Sequence, residues 1–388
     1  MTAIPSNRLV VPILSATNFI VGVGAFVVVG LLNPLAEDLS MTTQRAGLIM
    51  VIYAMAYAVL SPVLVAVTGR LGRRRLLAAA LIVFALSNLV AALATTEMVM
   101  FVSRVIAAAG AGILTPVSAT VAAGLSPPEG RARALAAVFF GMTLAQVMGV
   151  PVGSFIAYTF GWRMAFGAVV GLSLPCLWLI WTRVPAGLSF TPVRLSDLMR
   201  TLGNAAHMVA VFFTSMFLGS IYVIYTYVAP LMDSTMGYGR DGISAVLLVF
   251  GIGAVVGNII GGRITDWIGP FRTLLILSSG QVVIMPLFST LPMSDLSLFV
   301  LCVTWASFGW AFMAAQQVRL ISLDPENAPV LLSLNAAAIY VGAAVGSAVG
   351  GVALDQFGLT ALGITGGLGA ACAVAVLLLG QRLNARAR

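Results

Sequence analysis

Arg104 is the residue whose chemistry stands out. It lies about six residues inside an otherwise apolar run, MVMFVSRVIAAAGAG. A charge within hydrocarbon is costly, so such a group normally faces a cavity or a partner. A long arginine can also snorkel towards the nearer interface. The acids are informative by position. All twelve fall in polar breaks or at the ends of apolar runs, and none sits mid-run. Asp38 and Asp233, at the outer ends of the first and seventh runs, are the titrating carboxylates expected near Arg104. Burial there would raise their pKa into a useful range. A site for organic cations would want a buried carboxylate. Neutral or anionic ligands are therefore expected over cations.

Other chemistry is excluded by what is missing. The single histidine, His207, and three scattered cysteines, Cys176, Cys302 and Cys372, show no metal-ligand spacing. No nucleophile–base pair or paired acids fall within a run, so an enzyme is not expected. All twenty basic residues are arginine, so a Gly-x-x-x-x-Gly-Lys phosphate loop cannot occur. No cofactor is expected. No basic stretch is interleaved with exposed aromatics, so nucleic acid is not an expected partner.

The elements that must hold these residues are membrane spans. Of 388 residues, 60% are hydrophobic and only 8% charged. A soluble domain is about 25% charged. Twelve apolar runs are long enough to cross a bilayer: 9–31, 45–67, 75–94, 98–122, 134–158, 163–183, 206–230, 242–262, 273–291, 297–320, 330–353 and 360–380. Long continuous runs read as helices, because lipid leaves no other partner for the backbone of an isolated segment. The polar start and the length of the first run argue for a retained span rather than a cleaved signal. With the N-terminus cytoplasmic, sixteen arginines fall inside and only Arg45, Arg163 and Arg240 outside. Both termini are thus expected in the cytoplasm. A polar break near mid-chain leaves six spans on each side. The expected organisation is an N-terminal half over 1–184, a connector over 185–205 and a C-terminal half over 206–388.

The halves repeat. GRLGRRRLL (Gly69 to Leu77) follows span two, and GRITDWIGPFRTLL (Gly262 to Leu275) follows span eight. GVPVGSF in span five answers VGSAVGG in span eleven. Each offset is near 195 residues. Internal repeats mark many secondary transporters, with the site between them near the midplane. Gly149, Pro151 and Gly153 lie in span five. Gly342, Gly346 and Gly350 lie four apart in span eleven. Such glycines make a smooth face for close helix approach, and Pro151 permits a kink. Static packing and rocking between halves are both open readings. Polar and aromatic residues that suit a cavity wall are Asn18 and Phe26 (span one), Tyr53 and Tyr57 (span two), and Gln146 (span five). Later spans add Tyr222, Tyr225 and Tyr227, then Trp305, Trp310, Gln316 and Gln317, then Asn335 and Tyr340. Tyrosines near span ends suit an interfacial belt equally well.

On these residues the chain resembles the major facilitator superfamily, with twelve helices in two pseudo-symmetric six-helix halves. More narrowly, it is similar to the drug:proton antiporters of the arabinose-efflux-permease and multidrug or chloramphenicol-exporter kind. GRLGRRR, SRVIAAAGAG, GVPVGS with FGWR, and GGRITDWIG carry the resemblance over nearly the whole chain. It implies that spans one, four, seven and ten surround the cavity. It implies a role for Arg104 in proton coupling or substrate contact. It also implies a cytoplasmic gate at Arg70, Arg73, Arg74 and Arg75 with Asp266, although topology alone accounts for a basic loop. One departure is that Gly69 stands where the family places an acid before the first loop arginine. The implied function is export of a drug-like molecule, sugar or nucleoside by proton antiport with alternating access. Uptake symport, uniport and a non-transporting receptor of the same fold are the rivals. A monomer in a bacterial inner membrane is expected, with substrate, protons and lipid as its partners.

Overall fold

A computed structural model of the chain describes residues 9–127, 131–186, 188, 201–325 and 328–387. These residues are helical with short turns, and no strand occurs among them. Eleven helical segments are long and apolar enough to span a membrane. The bent pair α1 (Val10–Phe26) and α2 (Val28–Asp38) makes a twelfth. The first span thus runs seven residues beyond its apolar run, because Pro34 is accommodated within α2.

Two compact units are formed. The first comprises Met1–Ser40 and Ala56–Pro192, and the second Met41–Met55 and Val193–Arg388. The long helix α3 (Thr43–Val67) contributes to each. Most of the connector expected at 185–205 lies outside the described residues.

In the first unit α4 (Arg73–Ala92) packs on α5 (Glu97–Leu125) and α8 (Trp162–Arg183). The first span lies along α6 (Arg131–Leu144), which continues through a π-helical turn, Ala145–Gly149, into α7 (Val150–Phe160). A π turn adds a residue to the helical repeat and is frequent at functional sites. Pro151 follows it at the start of α7, where it removes one N–H from the continuing helix.

In the second unit α9 (Ala205–Tyr225) and α10 (Val228–Met236) form span seven. Around α9 lie α15 (Ala328–Phe357) and α16 (Ala361–Ala387). Next come α11 (Arg240–Ile268) and α12 (Pro270–Ile284), then α13 (Asp295–Trp310) and α14 (Phe312–Leu323), which together form span ten. Thr96, Asn204 and Ser294 cap the starts of α5, α9 and α13 with side-chain oxygens. Gly161 and Gly269, with φ of 92° and 82°, turn the chain between consecutive helices at FGWR and IGPF. A side chain there would be strained.

The repeat seen in the sequence has a structural counterpart. Spans one and seven are both interrupted, at Val27 and at Thr226–Tyr227. In each unit a serine from the glycine-rich helix hydrogen-bonds close to that break. Ser154 Oγ donates to Gly30 O at 3.2 Å. Ser347 Oγ lies 2.6 Å from Thr226 Oγ1, while Tyr227 OH donates to Ser347 O at 2.9 Å. Adjacent glycines let the helices approach. Gly149 and Gly153 sit against Val23 and Val27. Gly342, Gly346 and Gly350 sit against Ser215, Gly219 and Val223. Each glycine face therefore packs on a helix of its own unit.

Candidate functional site

Arg104 is buried, at 1% exposure, so it does not snorkel. Its fork is spread over three helices. Nη1 donates to Gly24 O at 3.1 Å, three residues before the break in span one. Nη2 donates to Asn88 Oδ1 on α4 at 3.3 Å, and Nε to Ser103 Oγ at 3.4 Å. The guanidinium lies 4.7 Å above the Phe166 ring of α8. These partners are neutral dipoles and a π face.

Asp38 is not beside Arg104. It is 44% exposed and forms an ion pair with Arg163, at 2.6 Å. Trp162 Nε1 donates to the same carboxylate oxygen at 3.2 Å. Trp162 in turn meets Phe166 edge-on at 6.0 Å. Asp38 is thus joined to Arg104 through the rings of Trp162 and Phe166, in the first turns of α8, rather than by contact. Asp233 is exposed at the end of α10. Neither carboxylate is buried, since Asp38 ends α2 and Asp233 lies near the end of α10. Asp38→Asn should cost the first unit about 1 kcal/mol or less, since the pair is solvent-screened; a thermal melt of the purified variant checks it.

In the second unit four expected residues meet. Tyr225 stacks on Phe250 at 4.6 Å, and Tyr222 meets Tyr225 edge-on at 5.6 Å. Trp305 and Trp310 lie 4.9 and 5.3 Å from Phe250, and Phe288 lies 5.0 Å from Trp305. Phe250 is the hub, and nothing in its apolar surroundings in the sequence distinguished it. The buried Trp305 Nε1 and Gln281 Oε1 have no hydrogen-bond partner among the described residues. This cluster offers flat apolar faces with one unspent donor and one unspent acceptor.

A second polar knot joins Gln316 and Asn335 through Thr214. Thr214 Oγ1 donates to Asn335 Oδ1 at 2.6 Å. Gln316 Nε2 donates to Ala210 O at 2.7 Å and to Thr214 Oγ1 at 3.0 Å. The other residues expected at the cavity are placed apart. Asn18 Nδ2 donates to Leu14 O of its own helix. Phe26, Tyr53, Tyr57 and Tyr340 are buried, and Gln317 is exposed. Tyr227 belongs to the span-seven break. Gln146 lies in the π turn, 7% exposed, with Oε1 unpartnered among the described residues.

Of the basic loop, the Arg70 side chain lies outside the described residues. Arg73 is buried and its N–H donates to Leu188 O at 3.3 Å. Arg74 lies 5.1 Å over the Trp181 ring. A cavity of about 280 Å³ is lined by Gly72, Arg74, Arg75 and Ala186. Asp266 is exposed near the end of α11.

The sequence model of the Major Facilitator Superfamily matches residues 14–330. The chain belongs to the Major Facilitator Superfamily. It is 32% identical over 375 residues to the uncharacterized MFS-type transporter YbcL of Bacillus subtilis, covering 96% of each chain. It is 26% identical over 367 residues to the inner membrane transport protein YdhP of Escherichia coli K12, covering 94% of each. Among solved structures, it resembles a mutant of the nucleoside transporter NupG, with a TM-score of 0.77 and 14% identity over 97% of this chain and 99% of that one. A bacterial homolog of the human lysosomal transporter Spinster superposes with a TM-score of 0.76 and 17% identity, over 98% and 96% of the two chains. These likenesses show the fold. The protein is a multi-pass membrane transporter of this superfamily, acting on a small molecule, and not an enzyme.

Proposed function

We propose that this superfamily member exports a neutral or anionic small molecule across a bacterial inner membrane, by alternating access and in exchange for protons. One observation carries the substrate class. No described carboxylate is buried, whereas Arg73, Arg104 and Arg319 all are. A buried cation attracts an anion or a dipolar group and repels a cation. The aromatic cluster around Phe250 supports an apolar, flat portion of the same ligand. The Asp38–Trp162–Phe166–Arg104 relay supports proton coupling, because neutralising Asp38 would release Arg163 and disturb the ring above Arg104. The arginine distribution supports cytoplasmic termini, and the packed Arg73 and Arg74 support a gate on that side.

The absence of a buried carboxylate among the described residues also favours a second reading, a facilitator without proton coupling. Uptake of matched anionic, neutral and cationic aromatic compounds into proteoliposomes tests the substrate class. Anionic or neutral compounds should move and cationic ones should not. Saturable cation flux would sink the substrate assignment.

A further inference from the structure

Of the three buried arginines among the described residues, Arg319 has been given no specific role above. Arg319 lies on α14, one turn before the helix ends at Leu323. It is 7% exposed, and both Nη1 and Nη2 are buried without a hydrogen-bond partner among the described residues. Its recorded neighbour is a π face, with the guanidinium 5.7 Å from the Phe213 ring of α9. Asp324, which follows on the same strand of chain, is engaged with His207 at 3.6 Å. Guanidinium is a planar fork with five donors and no acceptor, matched to carboxylate and phosphate oxygens. Left unpaired in a low-dielectric interior, it carries a full desolvation penalty that an anion would offset.

A glycine is packed against the fork. Gly380 of α16 faces it, and a Cβ at that glycine would come within 2.8 Å of Nη2 and 3.3 Å of Val209. One turn earlier on α14, Gln316 spends its Nε2 on α9 and leaves Oε1 buried and unpartnered. A donor fork and a lone acceptor therefore stand on one helix face, three residues apart. That pairing suits an oxyanion carrying a hydroxyl, the acid oxygens on Arg319 and the hydroxyl on Gln316.

We infer that Arg319, with Gln316 beside it and Gly380 packed against its fork, forms an oxyanion-binding site in the second unit, separate from Arg104. Two sources offer that chemistry. One is the phosphate of an anionic phospholipid, since Arg319 lies a single turn from a span end, at headgroup reach. The other is a soluble oxyanion. The inference does not depend on the direction or coupling of transport.

The full-length protein in neutral detergent tests it through its melting temperature, titrated in parallel with phosphatidylglycerol and with inorganic phosphate. A ligand that binds only the folded state raises the melting temperature. At least one probe should raise it by several degrees. Arg319→Gln should lose that shift, Arg319→Lys should keep part of it, and Arg382→Gln, at an exposed arginine, should keep all of it. A response to phosphatidylglycerol alone assigns the site to lipid, and a response to phosphate alone assigns it to a soluble oxyanion. A response to both supports a shared site. Should Arg319→Gln fail to fold, the wild type and Arg319→Lys still decide. No shift in the wild type with either probe, or an undiminished shift in Arg319→Gln, overturns the inference.

Discussion

Arg104→Ala should abolish transport and also destabilise the first unit by about 3 kcal/mol. The side chain binds Gly24 O, Asn88 Oδ1 and Ser103 Oγ from within the bundle. A hydrogen bond to a charged group contributes about 1.5–3 kcal/mol, and its loss leaves buried acceptors unmet. The alanine variant also leaves a cavity under Phe166. Arg104→Lys separates the two effects. Lysine keeps the charge but replaces the planar fork by a point donor. It cannot serve α1, α4 and α5 together at the same distances. The lysine variant should therefore melt closer to wild type than alanine does, yet transport poorly. Equal transport by Arg104→Lys and wild type would show that charge alone matters and that the fork geometry does not.

Gly346 is the second position of large effect. A Cβ there would run into the backbone oxygen of Gly219, which cannot rotate away as a side-chain tip would. Gly346→Ala should cost about 1–3 kcal/mol through overpacking. Gly346→Leu should prevent α15 from closing on α9 at all. The Ser347 bonds to Thr226 and Tyr227 would be lost with it. Gly262 is a control, because nothing lies within 4 Å of its added Cβ. Thermal melts of Gly346→Ala and Gly262→Ala should differ clearly; matching melts would refute the close-packing account.

Much of this was legible in the sequence, for reasons that differ by residue. Spans were legible because lipid demands about twenty apolar residues in continuous helix, and that demand is written in composition. Their ends were less so. Span one continues to Asp38 because α2 absorbs Pro34 and ends on acids that composition alone assigns to a loop. The π turn at Ala145–Gly149 was hidden, since one added residue barely alters an apolar pattern. Arg104 was conspicuous as a charge in an apolar run. Its partner Asn88 is a small polar residue in a helix, and its cap Phe166 is one phenylalanine among twenty. Phe250 and Phe288 were silent for the same reason. Arg319 was counted with the arginines expected inside, although it falls within the tenth run, 297–320. The structure buries its side chain within span ten, one turn before the helix ends at Leu323. Asp38 was expected near Arg104 and is linked to it only through Trp162 and Phe166, a connection that depends on how α2 meets α8.

The most direct test of the central claim is substrate movement in proteoliposomes under an imposed pH gradient, with internal pH followed at the same time. Antiport predicts that an anionic or neutral substrate moves against the proton flow, that each movement drives the other, and that Arg104→Ala ends both. Substrate flux that is unchanged when the pH gradient is collapsed or reversed would contradict proton exchange and leave a facilitator.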